Sequence, residues 1–393
     1  MFQFVKYKTP KLTSRGRVFS YMIFFYCLAV AIVSPIFPGY LEDVSRSEFY
    51  VGLFVAVSSL MTFLGSLLVP KFLHKYSRML LLYAGFLGMA LVFMMYFFAS
   101  GFYPVLFLQF VKGFAIAILL VVIPLMVKDY TDEDKLSKEE GVYYWFMNIA
   151  WIIGPILGGL LSLKFDQRFL FLFSMVVFVC AAFFLQHKKV SLIADKVNNV
   201  TRLPLIYGIK QFWTRKQLRK AYLVDFGLYF WWAISTISVP LYMLLYDFND
   251  FYIGIVMALT LVPLVVLEKW VGEHVKNGNM GANIRKGFLI MVLALMATFI
   301  FKNVYFSIAM FVVVSIGAAF VEPVKETYLF MHLGKHEEAD LFPIYSTARQ
   351  LGYFVGPIFG GIVAVLFGYE ILFLVTGFAL LPMVFVGHLI HKE

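Results

Sequence analysis

Three charged residues stand within one helical turn of a long apolar run, at Glu322, Lys325 and Glu326. Spacings of three and four residues place Glu322 beside both of the others on one face of a helix. A carboxylate that is withdrawn from water can hold a proton at neutral pH. The pattern therefore predicts a charge cluster that can bind and release a proton, and an ordinary ion-pair network is an equally good interpretation.

Two further charged residues, Asp225 and Arg349, interrupt other apolar runs. Each lies about two helical turns from the end of its run that faces the same side, so the two side chains have similar depth. Equal depth predicts an ion pair between Asp225 and Arg349. We favour a structural role for this pair, and the alternative is a role in proton binding or gating.

Lys112 lies near the middle of another apolar run, three residues after Gln109. An ammonium group near the centre of a bilayer costs about 3 kcal/mol or more on insertion scales. We therefore expect Lys112 to face water, a substrate or another part of the chain. The alternative is a structural lysine that bonds backbone carbonyls or extends to the membrane surface.

Polar and aromatic side chains also lie on other apolar runs, and the family resemblance described below implies that they line a substrate cavity. They are Tyr26, Asn148, Trp151, Trp231, Trp232 and Ser235. A single tryptophan in such a run more often packs or faces lipid than binds a ligand. Together, these side chains favour an aromatic or amphipathic solute, and they do not distinguish a sugar, a drug or an acid.

Several enzymatic chemistries lack their sequence signatures. The chain contains no G-x-x-x-x-G-K-[ST] loop for nucleotide phosphates and no H-E-x-x-H zinc motif. We therefore expect a protein that is not an enzyme and that needs neither a cofactor nor a metal. The formal net charge of +10 favours anionic lipid headgroups over nucleic acid as its partner.

The elements that carry these residues are membrane helices. Hydrophobic residues make up 62% of the 393 residues and charged residues only 14%, about half the charged share of an ordinary soluble domain. Windows of about 20 mainly apolar residues predict twelve transmembrane helices. They lie at 18–41, 49–73, 79–98, 103–127, 141–163, 168–186, 218–246, 251–271, 284–301, 304–330, 341–366 and 370–390.

The twelve windows form two copies of one unit. The segment Gly154-Pro155-Ile156-Leu157-Gly158-Gly159 recurs as Gly356-Pro357-Ile358-Phe359-Gly360-Gly361, an offset of 356 − 154 = 202 residues. The same offset aligns Phe49-Tyr50-Val51-Gly52 with Phe251-Tyr252-Ile253-Gly254. A constant offset over most of the chain predicts two repeats of six helices. Because six is even, both repeats enter the membrane from the same side and are related by an axis along its normal.

The distribution of Lys and Arg predicts the orientation. The segments that share a side with the N-terminus hold most of these residues, whereas the other side holds Arg46, Lys164, Arg168 and Lys302. The positive-inside rule therefore places both termini in the cytoplasm. We divide the chain into a bundle at 1–186, a linker at 187–217 and a second bundle at 218–393. The linker mixes basic and aromatic residues, which predicts an interfacial helix that tethers the two halves.

Two segments carry a resemblance to a known family. Ala150-x-x-x-Gly154-Pro155-x-x-Gly158-Gly159 and its complete copy from Gly352 to Gly361 resemble the fifth-helix signature of antiporters of the major facilitator superfamily. The loop after the second helix is a degenerate form of the family's G-x-L-x-D-R-x-G-R signature. It keeps the charges at Lys75 and Arg78 but has Pro70 and Ser77 at the glycine positions and His74 at the aspartate position.

The resemblance implies that the fifth and eleventh helices lie at the seam between the two bundles. The positions expected to form this interbundle hinge and packing surface are Gly154, Pro155, Gly158, Gly159, Gly356, Pro357, Gly360 and Gly361. Glycines at such spacing allow close backbone approach and proline allows a bend. Generic small-residue helix packing is the alternative.

The resemblance and the charge pattern together predict a secondary transporter that moves a small organic solute by alternating access. The antiporter-like signature favours proton-coupled export. The alternatives are a uniporter, an importer of a small metabolite, and a lipid-handling or receptor protein on the same scaffold. We expect a multi-pass monomer in the cell (inner) membrane, with the solute, protons and membrane lipids as its partners.

Overall fold

The structure is a computed structural model that describes residues 13–73, 75–131, 136–187, 205–274, 280–334 and 337–391. These residues form α-helices joined by short loops. In chain order the helices are α1 Thr13–Val33, α2 Phe37–Ser45, α3 Glu48–Leu73, α4 Arg78–Phe98, α5 Phe102–Asp129, α6 Leu136–Ser162, α7 Gln167–His187, α8 Leu205–Thr214, α9 Lys216–Leu244, α10 Asp250–His274, α11 Met280–Phe301, α12 Val304–Met331, α13 Glu338–Phe367 and α14 Tyr369–His391.

The prediction of twelve membrane spans is confirmed, although the first span is broken. Among the described residues, eleven helices are long and apolar enough to cross a bilayer, and α1 with α2 forms a twelfth span that bends by 50°. The sequence predicted one continuous window at 18–41. Pro35 and Pro38 remove backbone donors at the break, and the Ser34 hydroxyl donates to the Ala31 carbonyl at 2.8 Å.

The spans form two six-helix bundles with matching internal packing. In the N-terminal bundle α1 packs against α6, α3 against α5 and α4 against α7. In the C-terminal bundle the equivalent pairs are α9 with α13, α10 with α12 and α11 with α14. The same pairings in both bundles agree with two copies related by a pseudo-two-fold axis along the membrane normal, as the repeat predicts.

The bundles meet along two equivalent seams, α6 against α10 and α3 against α13. A methyl group added at Gly159 would lie 2.7 Å from the Phe251 Cα atom, and one at Gly361 would lie 2.9 Å from the Phe49 Cα atom. Both contacts lie at the ends of the spans opposite to the N-terminus of α1, which we call the distal side. Backbones this close leave no space between the bundles at these points, so both seams are closed on the distal side.

Four residues of the repeated motif lie away from these seams, which corrects the prediction that the whole motif lines them. Gly154 and Gly158 pack on Ala31 and Ile32 of α1, and Gly356 and Gly360 pack on the equivalent helix α9. Neighbouring positions such as Gly158 and Gly159 point about 100° apart on a helix, so they contact different helices. Pro155 and Pro357 present their carbonyl groups to Gly254 and Gly52 across the seams. A hinge role for the motif stays a prediction.

The linker is described only in part, because residues 188–204 lie outside the described ranges. Its helix α8 packs on α9 and on the start of α13, within the C-terminal bundle. Arg215, which follows α8, holds Glu337 through two hydrogen bonds, with Nη1 donating to Oε2 at 2.7 Å. The Gln211 amide donates to the same carboxylate at 3.0 Å. These hydrogen bonds, chiefly those from Arg215, lower the pKa of Glu337 to about 2.

Candidate functional site

A buried lysine lies at the centre of a charge cluster inside the C-terminal bundle. The Lys325 side chain on α12 is 1% exposed, and its Nζ atom lies 2.8 Å from Asp225 Oδ1 on α9. Glu322, one turn earlier on α12, places Oε1 at 3.0 Å from the same ammonium group. Removing an ion from water is costly inside a protein, and two carboxylates around one ammonium offset that cost.

The cluster becomes more exposed on its other side. Arg349 of α13 lies 4.0 Å from Glu326 Oε1, and these side chains are 41% and 32% exposed. The Tyr229 ring joins the two parts, because Lys325 Nζ lies 4.1 Å and Arg349 Cζ lies 4.6 Å from its centroid. The cluster of Asp225, Glu322, Lys325, Glu326 and Arg349 is therefore buried at the lysine and accessible at the arginine.

The predicted pair of Asp225 with Arg349 is replaced by a different pair. Asp225 contacts Lys325, and Arg349 has Glu326 as its nearest carboxylate. The reason is the rotation of α12 about its axis, which directs the Lys325 side chain toward α9. Lys325 therefore occupies the position next to Asp225 that was predicted for the arginine. The closeness of Glu322 to Lys325 agrees with their spacing in the sequence.

Asp225 and Glu322 lie at the same depth in the membrane. Asp225 comes nine residues after the start of α9 at Lys216, and Glu322 comes nine residues before the end of α12 at Met331. At 1.5 Å per residue, both lie about 13 Å from the helix ends on the side of the N-terminus. Tyr143 and Tyr144 of α6 lie within electrostatic range of Arg349. The exposed side of the cluster therefore faces the N-terminal bundle.

Sequence reasoning missed the tyrosines of this site. The Tyr229 hydroxyl lies 3.5 Å from Glu322 Oε1 and donates to it, and the Tyr353 ring lies 5.8 Å from the Tyr229 ring. Tyr229 comes four residues after Asp225, and Tyr353 comes four residues after Arg349. Residues four apart lie on the same helix face. The spacing of four residues from each charged residue is therefore the sequence signal that indicates both tyrosines.

The ion balance of the cluster limits what it can do. Three carboxylates face two cations, so the fully ionised cluster carries one net negative charge. Uptake of one proton makes it neutral. Glu322 Oε2 is buried without a hydrogen-bond partner among the described residues. A protonated Glu322 has an O–H group available at that oxygen.

Lys112 lies in the N-terminal bundle, where its only recorded contact with a ring or charge among the described residues is with Phe37 of α2. Its Nζ atom lies 4.2 Å from the centroid of that ring. The attraction is worth about 0.5–2 kcal/mol, less than the insertion cost of about 3 kcal/mol for a lysine at this depth. The ring therefore compensates the charge only in part.

Two of the other cavity candidates lie in the interior of a bundle. Trp231 is 1% exposed and packs against Phe311 inside the C-terminal bundle, and Gln109 is fully buried. Tyr26 is 8% exposed and also mostly enclosed. Asn148, Trp151, Trp232 and Ser235 are partly exposed, and the Ser235 hydroxyl donates to the Trp232 carbonyl. Their role in binding a substrate stays a prediction.

The degenerate loop keeps a structural function without its glycine. Ser77, at a glycine position of the family signature, caps α4 by accepting a hydrogen bond from the Leu80 amide at 3.2 Å. Lys75 lies over the Tyr76 ring. His74, at the aspartate position, lies outside the described residues.

Solved structures with the same fold are transporters. The chain is similar to a bacterial homologue of the human lysosomal transporter Spinster in an inward-facing conformation, with a TM-score of 0.81, 12% identity and 98% of each chain covered. It is also similar to the nucleoside transporter NupG, with a TM-score of 0.79, 11% identity, and 98% of this chain and 100% of that chain covered. At these identities the likeness shows a common fold.

Sequence relatives point to the same family. An uncharacterized MFS-type transporter of Methanocaldococcus jannaschii is 18% identical over 346 residues, which cover 87% of this chain and 89% of the relative. The proton-coupled antiporter flippase LtaA of Staphylococcus aureus is 20% identical over 301 residues, which cover 74% and 72%. The model of the Major Facilitator Superfamily matches residues 19–281 and 278–392. The chain therefore belongs to the Major Facilitator Superfamily and is a multi-pass membrane transporter rather than an enzyme.

Proposed function

We propose that this transporter exports a small organic solute in exchange for protons, and that the charge cluster of the C-terminal bundle carries the proton. The observation that supports this most directly is the contact of Lys325 with two carboxylates inside a membrane span. Ionisable groups within membrane spans are rare and are associated with ion and substrate pathways.

The physical step is a change in the ion balance of the cluster. When Glu322 takes up a proton, Lys325 keeps Asp225 as its counter-ion, and the cluster loses its excess negative charge. The electrostatic potential at Arg349 and Tyr229, on the exposed side of the cluster, then becomes less negative. A site that faces the other bundle in this way biases the two states of the transporter by its protonation.

The antiporter-like glycine and proline motif supports export, as does the similarity to a relative that is named a proton-coupled antiporter. We place the termini and the linker on the cytoplasmic side because most Lys and Arg residues share that side. The closed distal seams then make this conformation one that is shut toward the outside. We also propose that the protein acts as a monomer in the cell membrane.

The test uses inverted membrane vesicles that contain the protein and maintain a proton gradient reported by a fluorescent dye. A chemically diverse set of organic solutes is added one at a time. Exchange predicts that some solute dissipates the gradient only when the protein is present. If no solute does so, or if a solute crosses at a rate that is independent of the gradient, the coupling proposal fails and a uniporter remains.

The variant Glu322→Gln then tests the assignment of the cluster. It retains the shape of the side chain but cannot ionise, so we expect solute-induced proton movement to fall at least tenfold while solute exchange without a gradient persists. The matched control is Glu370→Gln, a carboxylate 3.8 Å from Lys302 on the distal side, and it should leave the coupling unchanged. Equal coupling in wild type and Glu322→Gln would remove Glu322 as the proton carrier.

A further inference from the structure

Lys112 lacks an acidic partner among the described residues. It lies ten residues after the start of α5 at Phe102, about 15 Å into the span from the distal side. Among the described residues, burial is the effect that dominates the electrostatic environment of Lys112. The acidic residues in the described spans of its bundle stand at the ends of helices, at Glu42, Asp43, Glu48, Asp129, Glu139 and Glu140. The described spans of this bundle therefore offer no acidic residue near the depth of Lys112.

A second polar group on the same helix face also lacks a partner. Gln109 lies three residues before Lys112 and is fully buried. Its Nε2 and Oε1 atoms make no hydrogen bond with the described residues. Buried side-chain amides normally satisfy both groups. One turn of α5 therefore presents an ammonium group and an amide N–H donor, and both are free to bind an acceptor.

The surroundings of this turn are aromatic. The Phe37 ring that contacts Lys112 also packs against Tyr96 at 5.6 Å and Phe171 at 6.3 Å between centroids. The cations of the opposite bundle are already engaged, because Lys325 and Arg349 have carboxylate neighbours. Of Lys112, Lys325 and Arg349, Lys112 alone has no carboxylate neighbour among the described residues, so it can receive an anion.

We propose that Lys112 and Gln109 bind the anionic group of the transported solute, and that the solute is an organic acid with a single negative charge and an apolar or aromatic body. The ammonium group supplies the opposite charge, and the amide N–H binds the second oxygen of a carboxylate or phosphate. The inference rests on the proposed transport function, since a carrier is what brings a soluble anion to this depth. An anionic lipid headgroup has the same chemistry, and the test separates the two sources.

The test measures binding at equilibrium, without any gradient. The purified full chain is placed in phosphatidylcholine nanodiscs, and its unfolding midpoint is recorded with naphthalene-2-carboxylate or with the uncharged naphthalene-2-carboxamide. A ligand at ten times its Kd is expected to raise the midpoint on the order of 2 °C for a chain of this size. We expect that rise with the carboxylate and none with the amide.

Two lysine variants and a matched control assign the effect. Lys112→Met should abolish the carboxylate shift and Lys112→Arg should retain it. The control is Lys302→Met, because Lys302 also lies over a phenylalanine ring, that of Phe299 at 5.5 Å, but is 63% exposed on the distal side. Its removal should leave the shift unchanged. A carboxylate shift that survives Lys112→Met would overturn the site, as would an equal shift with the amide or no shift with either compound.

Gln109→Leu adds a readout that does not depend on the ligand. Replacing an unsatisfied buried amide with an apolar group of similar size should raise the midpoint of the ligand-free protein and weaken the carboxylate effect. A fall in the ligand-free midpoint would mean that the amide is already bonded, and would overturn its assignment as a ligand donor.

Nanodiscs that contain phosphatidylglycerol distinguish the lipid from the solute. If they raise the midpoint of wild type but not of Lys112→Met, and the carboxylate then adds nothing, the anion is a lipid headgroup and the solute assignment is overturned. A carboxylate shift of the same size in both lipids supports the solute. Because no proton gradient is used, a protein that binds the carboxylate without proton exchange would fail the proposed function while passing this test.

Discussion

Removal of the central lysine should destabilise the protein far more than removal of an acidic neighbour at the exposed edge. In Lys325→Met, Asp225 remains 2% exposed without its counter-ion at 2.8 Å. Breaking a buried ion pair from one side costs about 3–5 kcal/mol. Glu326→Gln, on the same helix, removes a contact of 4.0 Å between side chains that are 41% and 32% exposed, and such a pair is worth about 1 kcal/mol at most.

The two costs correspond to different melting shifts. With an unfolding entropy of about 2.1 cal/mol/K per residue, a chain of this size loses roughly 5 °C for about 4 kcal/mol, and about 1 °C for about 1 kcal/mol. Thermal unfolding of the purified protein in detergent measures both. The assay compares wild type, Lys325→Met, Glu326→Gln and the double variant Lys325→Met with Asp225→Asn.

The double variant is the decisive arm. Lys325→Met leaves two carboxylates without their ammonium group, Asp225 and the less buried Glu322. Since Asp225→Asn removes the more deeply buried of these two charges, the double variant should regain part of the stability that Lys325→Met loses. Equal midpoints for Lys325→Met and Glu326→Gln would mean that the buried ion pair contributes no more to stability than the exposed one. Additive losses in the double variant would contradict the prediction as well, because they would mean that the two residues do not interact.

Three further predictions concern the rest of the molecule. Gly361→Ala places a methyl carbon 2.7 Å from the Glu48 carbonyl oxygen, whereas Gly360→Ala meets nothing closer than 3.6 Å. We therefore expect Gly361→Ala alone to lengthen the distances between spin labels on the distal ends of the two bundles. Equal distances in both variants would argue against close backbone contact at this seam. The contact with Arg215 lowers the pKa of Glu337 to about 2, so it stabilises the docking of α8 at pH values above the ordinary pKa of a carboxylate, and this stabilisation is lost as the pH falls toward about 2. Trp213 fluorescence follows the docking, and a loss on acidification that is identical in Glu337→Gln would contradict this prediction. A cysteine at position 302 should react with an impermeant maleimide from outside intact cells and one at position 216 only after permeabilisation, and the reverse result would invert the proposed topology.

The repeat and the composition were sufficient to predict the spans and their arrangement in two bundles. A constant offset of 202 residues aligns Gly159 with Gly361 and Gly52 with Gly254, and these residues occupy equivalent positions at the two seams. Hydropathy did not predict the break between α1 and α2, because the residues around Ser34 and Pro35 remain apolar enough to continue a span.

Contacts between helices were predicted less well, because they depend on how each helix is rotated about its axis. Asp225 and Arg349 were paired by their depth, but depth alone cannot tell which cation faces α9. The difference between Gly158 and Gly159 has the same origin, since one residue changes the direction by about 100°. Rotation is determined by the packing of all six helices in a bundle, and a single sequence does not contain that information in a local pattern.

The most direct test of the central claim is a pH-difference infrared spectrum of the purified protein in lipid. We expect the wild-type protein to show a carboxyl band that appears and disappears within the pH range over which the protein stays folded. This band should be absent from Glu322→Gln and present in the control Glu370→Gln. A spectrum of Glu322→Gln that retains the wild-type band would contradict the claim that the charge cluster carries the proton at Glu322.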